Sequence, residues 1–490
     1  MPIAADWRYG GPRLLHAAEG ERDEANRRLI VRLVFLIYWL LIFEGALRKW
    51  GLPQLQEVFF FLRIPVTLLL YWLAFRYRCW PHTTWPLLLL YVFSAIAIVL
   101  VPIQIITGGY GPPYLLLAGY GWINYFFYVP LAFLIAEQFR KRDLDLLTRH
   151  TLWLTIPAAL LVIIQFSSPA TAVINLGSGL EESDQFQNLD AALGFVRPSG
   201  FFTSSSGQSQ FVASAAALAL AGWLMPKRER PVSTVLLIAG TVAVLVITMV
   251  SQSRGLFFQI GVVLLAGMAA SLLTGSRRII VRAVLWPAVL LGAAIAMWPL
   301  LFPTAYEVFL TRWVGAWAYE AQMFQYGIFG RMFYSFYAFL DYLPSTPLIG
   351  YLLGFGGNAS LRLDWVRLPT VAYEWTGYGL WGLEGGWAVH LIELGLFAGL
   401  AFIVFRIGLT LWMGWNACKC TYYSGHPLPV LLFAYAGIVL LNGQISTQGT
   451  INGYAWMFLG FCFSAIRTFG RSPGRVSSRP VLNQSSVEEI

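Results

Sequence analysis

Runs of about twenty apolar residues, repeated along almost the whole chain, constrain this sequence more than any other feature. "VSTVLLIAGTVAVLVITMV" (232–250) and "LFFQIGVVLLAGMAASLL" (256–273) are two of them, separated only by "SQSRG". A helix of about 20 such residues crosses a bilayer core of ~30 Å. Only 12% of the 490 residues are charged and 58% are hydrophobic, which is roughly half the charge of a soluble domain. The expected fold is an all-α polytopic membrane protein with about twelve transmembrane helices. They fall near 29–47, 58–76, 84–106, 114–137, 148–166, 207–225, 232–250, 255–274, 279–302, 385–408, 428–446 and 451–467. The fourth carries Gly119, Gly121 and Asn124, and the last two form a hairpin with a polar tip, "NGQISTQGTING".

Basic residues orient these spans. With the N-terminus in the cytoplasm, 23 of the 33 Lys and Arg fall in cytoplasmic segments, including Arg140, Lys141, Arg142, Lys227, Arg228, Arg406 and Lys419. Eight fall on the opposite side: Arg48, Lys49, Arg197, Arg254, Arg312, Arg331, Arg362 and Arg367. The organisation is then a cytoplasmic segment at 1–28 and nine spans over 29–302, with an outer loop at 167–206. A large extracytoplasmic loop follows at 303–384, then three spans over 385–467 and a disordered cytoplasmic tail at 468–490. The polar N-terminus lacks the apolar core of a cleavable signal peptide. The net charge of +9 does not point to nucleic acid, because it lies in short clusters between spans.

The outer cations are informative because they run against that bias. Arg48 and Lys49 close the first span in "FEGALRKW", Arg197 opens "RPSGFFTSSSGQSQF", Arg254 sits in "SQSRG", and Arg331 precedes "MFYSFYAFLDYLP". Guanidinium groups gathered at one membrane depth suit a polyanion at that depth, since they grip phosphate oxygens through paired hydrogen bonds. Each alone is equally a snorkelling residue or half of a salt bridge. Ser253 is placed to cap the next helix, leaving Arg254 in its first turn. The helix dipole disfavours a cation there by ~0.3–1 kcal/mol. Something must compensate, and an anionic ligand is one candidate.

The carboxylates come next. Glu384 stands at the outer start of the tenth span. Glu393 is nine residues on, hence about 13 Å deeper and on the opposite helix face. An intramembrane carboxylate needs a partner. For Glu393 a structural role is expected, with Glu44, a Trp or backbone groups as the tie. His390 is read as a satisfied core histidine or a secondary site candidate, and Asp341 as a salt-bridge residue or a second such candidate. "DLD" at 143–145 has the form of a metal–nucleotide motif, but its short linker has no domain to hold a sugar nucleotide. Cys418-Lys419-Cys420 is too close-spaced for a zinc site. No metal-ligand spacing, P-loop or dinucleotide fingerprint is present, so neither metal nor cofactor is expected.

In order along the chain, these motifs resemble those of the O-antigen ligase and Wzy-type polysaccharide polymerase superfamily. "SQSRG" is similar to its Ser-x-Ser-Arg-Gly signature, "RPSGFF" to its Arg-x-x-Gly-x-Phe segment, and "PLIGYLLGFGG" to a Gly-rich stretch of its large loop. "EGGWAVHLIELG" is similar to the motif entering the next span. "FEGALRKWGLP" resembles the first-span ending in a branch of exopolysaccharide polymerases. The resemblance implies a C-type glycosyltransferase of the bacterial inner membrane with both termini cytoplasmic. Such an enzyme takes a glycan from undecaprenyl pyrophosphate and joins it to an acceptor sugar without a metal. Implied partners are the polyprenyl-pyrophosphate-linked oligosaccharide and membrane lipids, with a flippase and chain-length or export proteins as neighbours. Arg254 would act catalytically on the leaving group, helped by Arg197, Arg331, Arg48 and Lys49. Glu384 stands where ligases carry His and would be the base, which favours a polymerase over transfer to a lipid or protein acceptor. A different class, a transporter or flippase of lipid-linked glycan, fits the span number, but the charges gather at one face and no repeat is seen.

Overall fold

The computed structural model describes residues 17–108, 114–175, 192–275, 289, 292–324, 327, 330, 386–443, 445 and 449–470. All its described regular elements are helical. In chain order they are α1 (Ala17–Ala46), α2 (Gln56–Phe61), α3 (Arg63–Arg76), α4 (Trp85–Gly108) and α5 (Tyr114–Phe126). Next come α6 (Val129–Gln138), α7 (Lys141–Ser167), α8 (Ser205–Leu224), α9 (Thr234–Val250) and α10 (Arg254–Thr274). The remaining ones are α11 (Gly292–Leu301), α12 (Pro303–Met323), α13 (Gly386–Ser424), α14 (Leu428–Asn442) and α15 (Gly449–Gly470).

Local chemistry fixes the helix starts. Ser204, Ser233 and Ser253 cap α8, α9 and α10, each accepting a backbone N–H three residues on. Asp143 of the "DLD" run does the same work for α7: its carboxylate accepts from the Arg140 N–H at 2.9 Å and pairs with Arg27 at 2.8 Å. It braces the start of α7.

α15 runs through the centre. Its residues from Ile451 to Ala465 are buried on every side, the pattern of a helix surrounded by helices. It packs on α6, α14 and α13. Between membrane helices lipid supplies no hydrophobic drive, so packing and a few hydrogen bonds hold them together. Here the bonds are Tyr38 with Thr151 at 2.7 Å, Tyr454 with Ser214 at 2.7 Å, and Tyr435 donating to Gln210 at 2.6 Å.

Six described helical stretches are long and apolar enough to cross a membrane: Asp23–Gly51, Trp85–Ile106, Ala118–Gln138, Lys141–Ser167, Arg254–Thr274 and Glu393–Ser424. The bent pair α11 and α12 makes seven if counted as one span, and α9 and α14 hold shorter apolar stretches. The chain is an all-α membrane protein.

One segment differs from the sequence expectation. The tenth span, expected at 385–408, is one part of a longer element that reaches Ser424 and breaks at Gly395, whose φ of 78° is open to glycine and strained for other residues. A Cβ on Gly399 would lie 2.4 Å from the His390 carbonyl oxygen, although nine residues of straight helix span about 13 Å. The chain therefore doubles back at Gly395. As a result Arg406, expected in a cytoplasmic linker, is wholly buried among helices. The loop expected at 303–384 is described at its start. It opens with α12, bent 109° from α11. α12 packs on α9, and its Phe309 lies against Phe257 of α10 and Trp298 of α11; Ala305, Val308 and Phe309 are buried, while Val314, Trp317 and Tyr319 stay exposed. An aromatic face on such a helix suits the membrane interface.

Candidate functional site: a junction of polar segments at one end of the bundle

Three of the segments singled out in the sequence meet where α1 ends and α8 and α10 begin. Lys49, buried in the π-turn after α1, donates to Ser199 Oγ at 2.9 Å, to the Gly200 carbonyl at 3.1 Å and to the Phe202 carbonyl at 2.7 Å. All three ammonium protons are thereby used. The backbones approach so closely here that a Cβ on Gly45 would lie 2.4 Å from the Phe201 oxygen. Gln165 of α7 accepts the Gly200 N–H at 2.8 Å from the other side. Arg197, half-buried, stands two residues before this clamped turn. In the first turns of α8, Ser209 donates to Ser253 Oγ at 3.0 Å, which ties "SSSGQSQ" to "SQSRG".

Arg254 begins α10 as expected, and the compensation for its place at a positive helix end is a protein carboxylate. Glu320 of α12 takes both guanidinium arms, Nη2–Oε1 at 2.8 Å and Nη1–Oε2 at 3.2 Å. The Glu320 side chain is 2% exposed and that of Arg254 22%, so only the arginine side opens outward. The preceding Gln252 holds φ of 56°, an uncommon conformation for a residue with a side chain. α12 clamps it twice: Arg312 donates to the Gln252 carbonyl at 2.8 Å, and the Gln252 amide donates to the Ala305 carbonyl at 3.0 Å.

A second charged group lies beside Lys49. Glu44 is buried and pairs with Arg63 of α3 at 3.0 Å and with Arg48 at 3.6 Å. Arg63 also donates to Thr450 at 2.8 Å. Glu44 is thus committed to two arginines and is not the tie for Glu393.

Glu393 has a different partner. Tyr125 donates to its Oε2 at 2.7 Å, and Gln104 donates to its backbone carbonyl at 3.2 Å. The Tyr125 hydroxyl also bonds His390 Nδ1 at 2.9 Å, and His390 Nε2 bonds Arg406. Arg406 directs its other N–H groups at the carbonyls of Leu440 (2.7 Å), Val439 (3.1 Å) and Gly443 (2.9 Å). Arginine, histidine, tyrosine and glutamate form one buried chain across the break in α13. His390 and Glu393 are both buried and hydrogen-bonded within the protein.

The structure therefore joins the segments of Arg48, Lys49, Arg197 and Arg254, through backbone clamps and serine contacts. It holds His390 and Glu393 in a separate cluster. Glu384, Arg331 and Asp341 lie outside the described residues. No metal-binding group of His, Cys, Asp or Glu occurs among the described residues. Four participants escaped the sequence reading. Arg63 in "FFFLRIPVT" and Arg406 in "FIVFRIGLT" are cations inside apolar runs, a signal that was present. Glu320 and Tyr125 carried none, because only the fold brings them to Arg254 and Glu393. Neither a scan against protein-family models nor a search of curated proteins found a match to this chain.

Proposed function

We propose that this protein is a polysaccharide polymerase of about twelve spans. It moves a glycan from undecaprenyl pyrophosphate to an acceptor sugar hydroxyl at the outer face of the bacterial inner membrane. The observation that carries the reading is the junction: the segments that resemble the superfamily's first-span, Arg-x-x-Gly and Ser-x-Ser-Arg-Gly motifs lie far apart in sequence and meet at one end of the bundle. In this reading the acceptor oxygen attacks the anomeric carbon as its bond to the pyrophosphate breaks. The hydroxyl proton passes to the Glu384 carboxylate, and the pyrophosphate leaves on its lipid. Arg254 and Arg197 meet the charge that develops on the departing phosphate, the kind of preorganised stabilisation that contributes most in such steps. Lys49 positions the Arg197 segment. Arg254 reaches the donor by exchanging Glu320 for phosphate oxygens.

The test is turnover of lipid-linked repeat units by the purified protein. Glu384→Gln keeps size and hydrogen bonding but is nearly useless as a base, so turnover falls about 10²–10⁴-fold while donor binding holds. Turnover within a few fold of wild type would remove Glu384 from the mechanism.

One observation favours a second reading, transport or flipping of lipid-linked glycan. A broken helix beside buried ionisable groups, here Gly395 with Glu393, His390 and Arg406, is the usual architecture of a transporter site. Reconstituted protein that flips lipid-linked glycan and elongates none would decide for transport.

A further inference from the structure

The geometry points to the cavity between α3, α4 and the α5–α6 break as the groove that takes the first isoprene units of the polyprenyl chain of the lipid-linked donor, with the Glu44–Arg48–Arg63 group at its head end. This rests on the proposed donor chemistry and adds the place where its chain lies.

The cavity is about 420 Å³, within the range of small-molecule sites. Ile64, Leu68 and Tyr71 form one wall, at the i, i+4, i+7 spacing of a single α3 face. That stripe is about 10 Å long. It begins at the residue after Arg63, the first residue of α3, whose guanidinium holds Glu44 and Thr450. Tyr128 lies between two groove residues, Phe127 and Val129, and is close enough to Arg63 and Glu44 to interact electrostatically with both.

The wall chemistry selects the occupant. The polar side-chain groups in the lining are tied to the protein. The Tyr71 hydroxyl donates to the Phe127 carbonyl at 2.6 Å and accepts the Leu131 N–H at 3.2 Å. The Trp122 indole donates to Ser94 at 3.0 Å, and Tyr91 bonds Trp80. A cavity whose polar atoms are already paired offers water no partners and offers hydrocarbon a dry surface. Flat rings supply much of that surface, and the planar double bonds of an isoprenoid chain stack on them as a saturated acyl chain does not. The groove opens to the side at Leu68, which is 52% exposed. An anionic head at two arginines and an apolar chain along α3 match this polarity end to end.

The experiment uses purified full-length protein in nanodiscs with undecaprenyl pyrophosphate as probe. Leu68→Trp narrows the mouth from a lipid-facing position that does not endanger the core, and Ile123→Trp fills the groove deeper in. Both weaken probe binding about tenfold or more while thermal stability holds. A photoreactive phenylalanine at position 68 crosslinks the probe, and phosphatidylglycerol in large excess does not displace it. Unchanged binding in both variants, displacement by phosphatidylglycerol, or failure of the wild-type protein to bind the probe would each overturn the groove. Binding is read without turnover. Leu68-dependent binding with no polymer formed would therefore sink the polymerase and leave the groove. Normal turnover with Leu68-independent binding would do the reverse.

Discussion

Arg254 and Arg406 are the same residue in two surroundings. Arg406 is wholly buried, and its donors end on His390 and three backbone carbonyls of α14 and the residue that follows it. Nothing a ligand carries could replace those carbonyls without unpicking the helix end. Arg254 meets one carboxylate, through two parallel bonds, with part of its side chain exposed. Phosphate oxygens have the same fork geometry and can take the place of Glu320. An arginine satisfied by backbone is a rivet, and one satisfied by a single carboxylate is an exchangeable contact.

The largest effect should come from breaking the rivet. Arg406→Met leaves His390 and the α14 carbonyls without their donor in a dry interior. Each buried acceptor left without its donor costs about 1–3 kcal/mol, and four are left at once. The expected outcome is little folded protein after detergent extraction, read by size-exclusion profile and thermal unfolding. Arg406→Met protein as stable as wild type would end the distinction.

The exchangeable contact should separate stability from activity. Arg254→Ala strands the Glu320 carboxylate, so it lowers both. Adding Glu320→Gln removes the stranded charge, and thermal stability should return to near the wild-type value while turnover stays about 10²–10³-fold down. Glu320→Gln alone keeps Arg254 and frees it, and donor affinity should rise a few fold. A fall in that affinity would make Glu320 part of the binding surface.

A smaller effect is expected at Lys49. Lys49→Met removes three donors to the 199–202 turn. Proteolysis within that turn should quicken, and turnover should fall about tenfold, since a hydrogen bond to a charged group contributes about 1.5–3 kcal/mol.

The last lies outside the spans and is absent at neutral pH. His426 stacks on Phe469, with centroids 3.6 Å apart. Burial first, and the Lys141 charge second, push its pKa down to about 3 from the ordinary 6.5. Between those values the unfolded chain takes a proton that the folded protein refuses. Its contribution is therefore full above pH 6.5 and is lost as the pH falls towards 3. His426→Phe should flatten that part of the thermal-stability profile against pH, and an unchanged slope would place the acid sensitivity elsewhere.

Much of the fold was legible. Apolar runs of membrane length announced an all-helical membrane protein, and Ser253 was recognisable as a cap because a serine preceded an apolar periodic run. The positive-inside pattern failed at Arg406, because a rule about linkers cannot tell a linker from a helix that continues for another five turns. The doubling back at Gly395 was illegible for a related reason: a glycine in an apolar run is common, and only its neighbours Gly399 and Arg406 show what it permits. In the site, the residue types were readable and their partners were not. Arg254 in a first helical turn called for a compensating interaction, with an anion as one candidate. That the anion is Glu320, 66 residues on, is a property of how α12 lies across the bundle end.

The central claim, that Arg254 is an exchangeable phosphate contact at a glycosyl-transfer site, is met most directly by the doubly substituted Arg254→Ala, Glu320→Gln protein. Purified beside wild type, it is assayed for elongation of undecaprenyl-pyrophosphate-linked repeat units, with unfolding temperature measured on the same samples. The account predicts matching unfolding temperatures and turnover lower by about two to three orders of magnitude. Matching temperatures with wild-type turnover would contradict it and leave Arg254 as half of a structural ion pair.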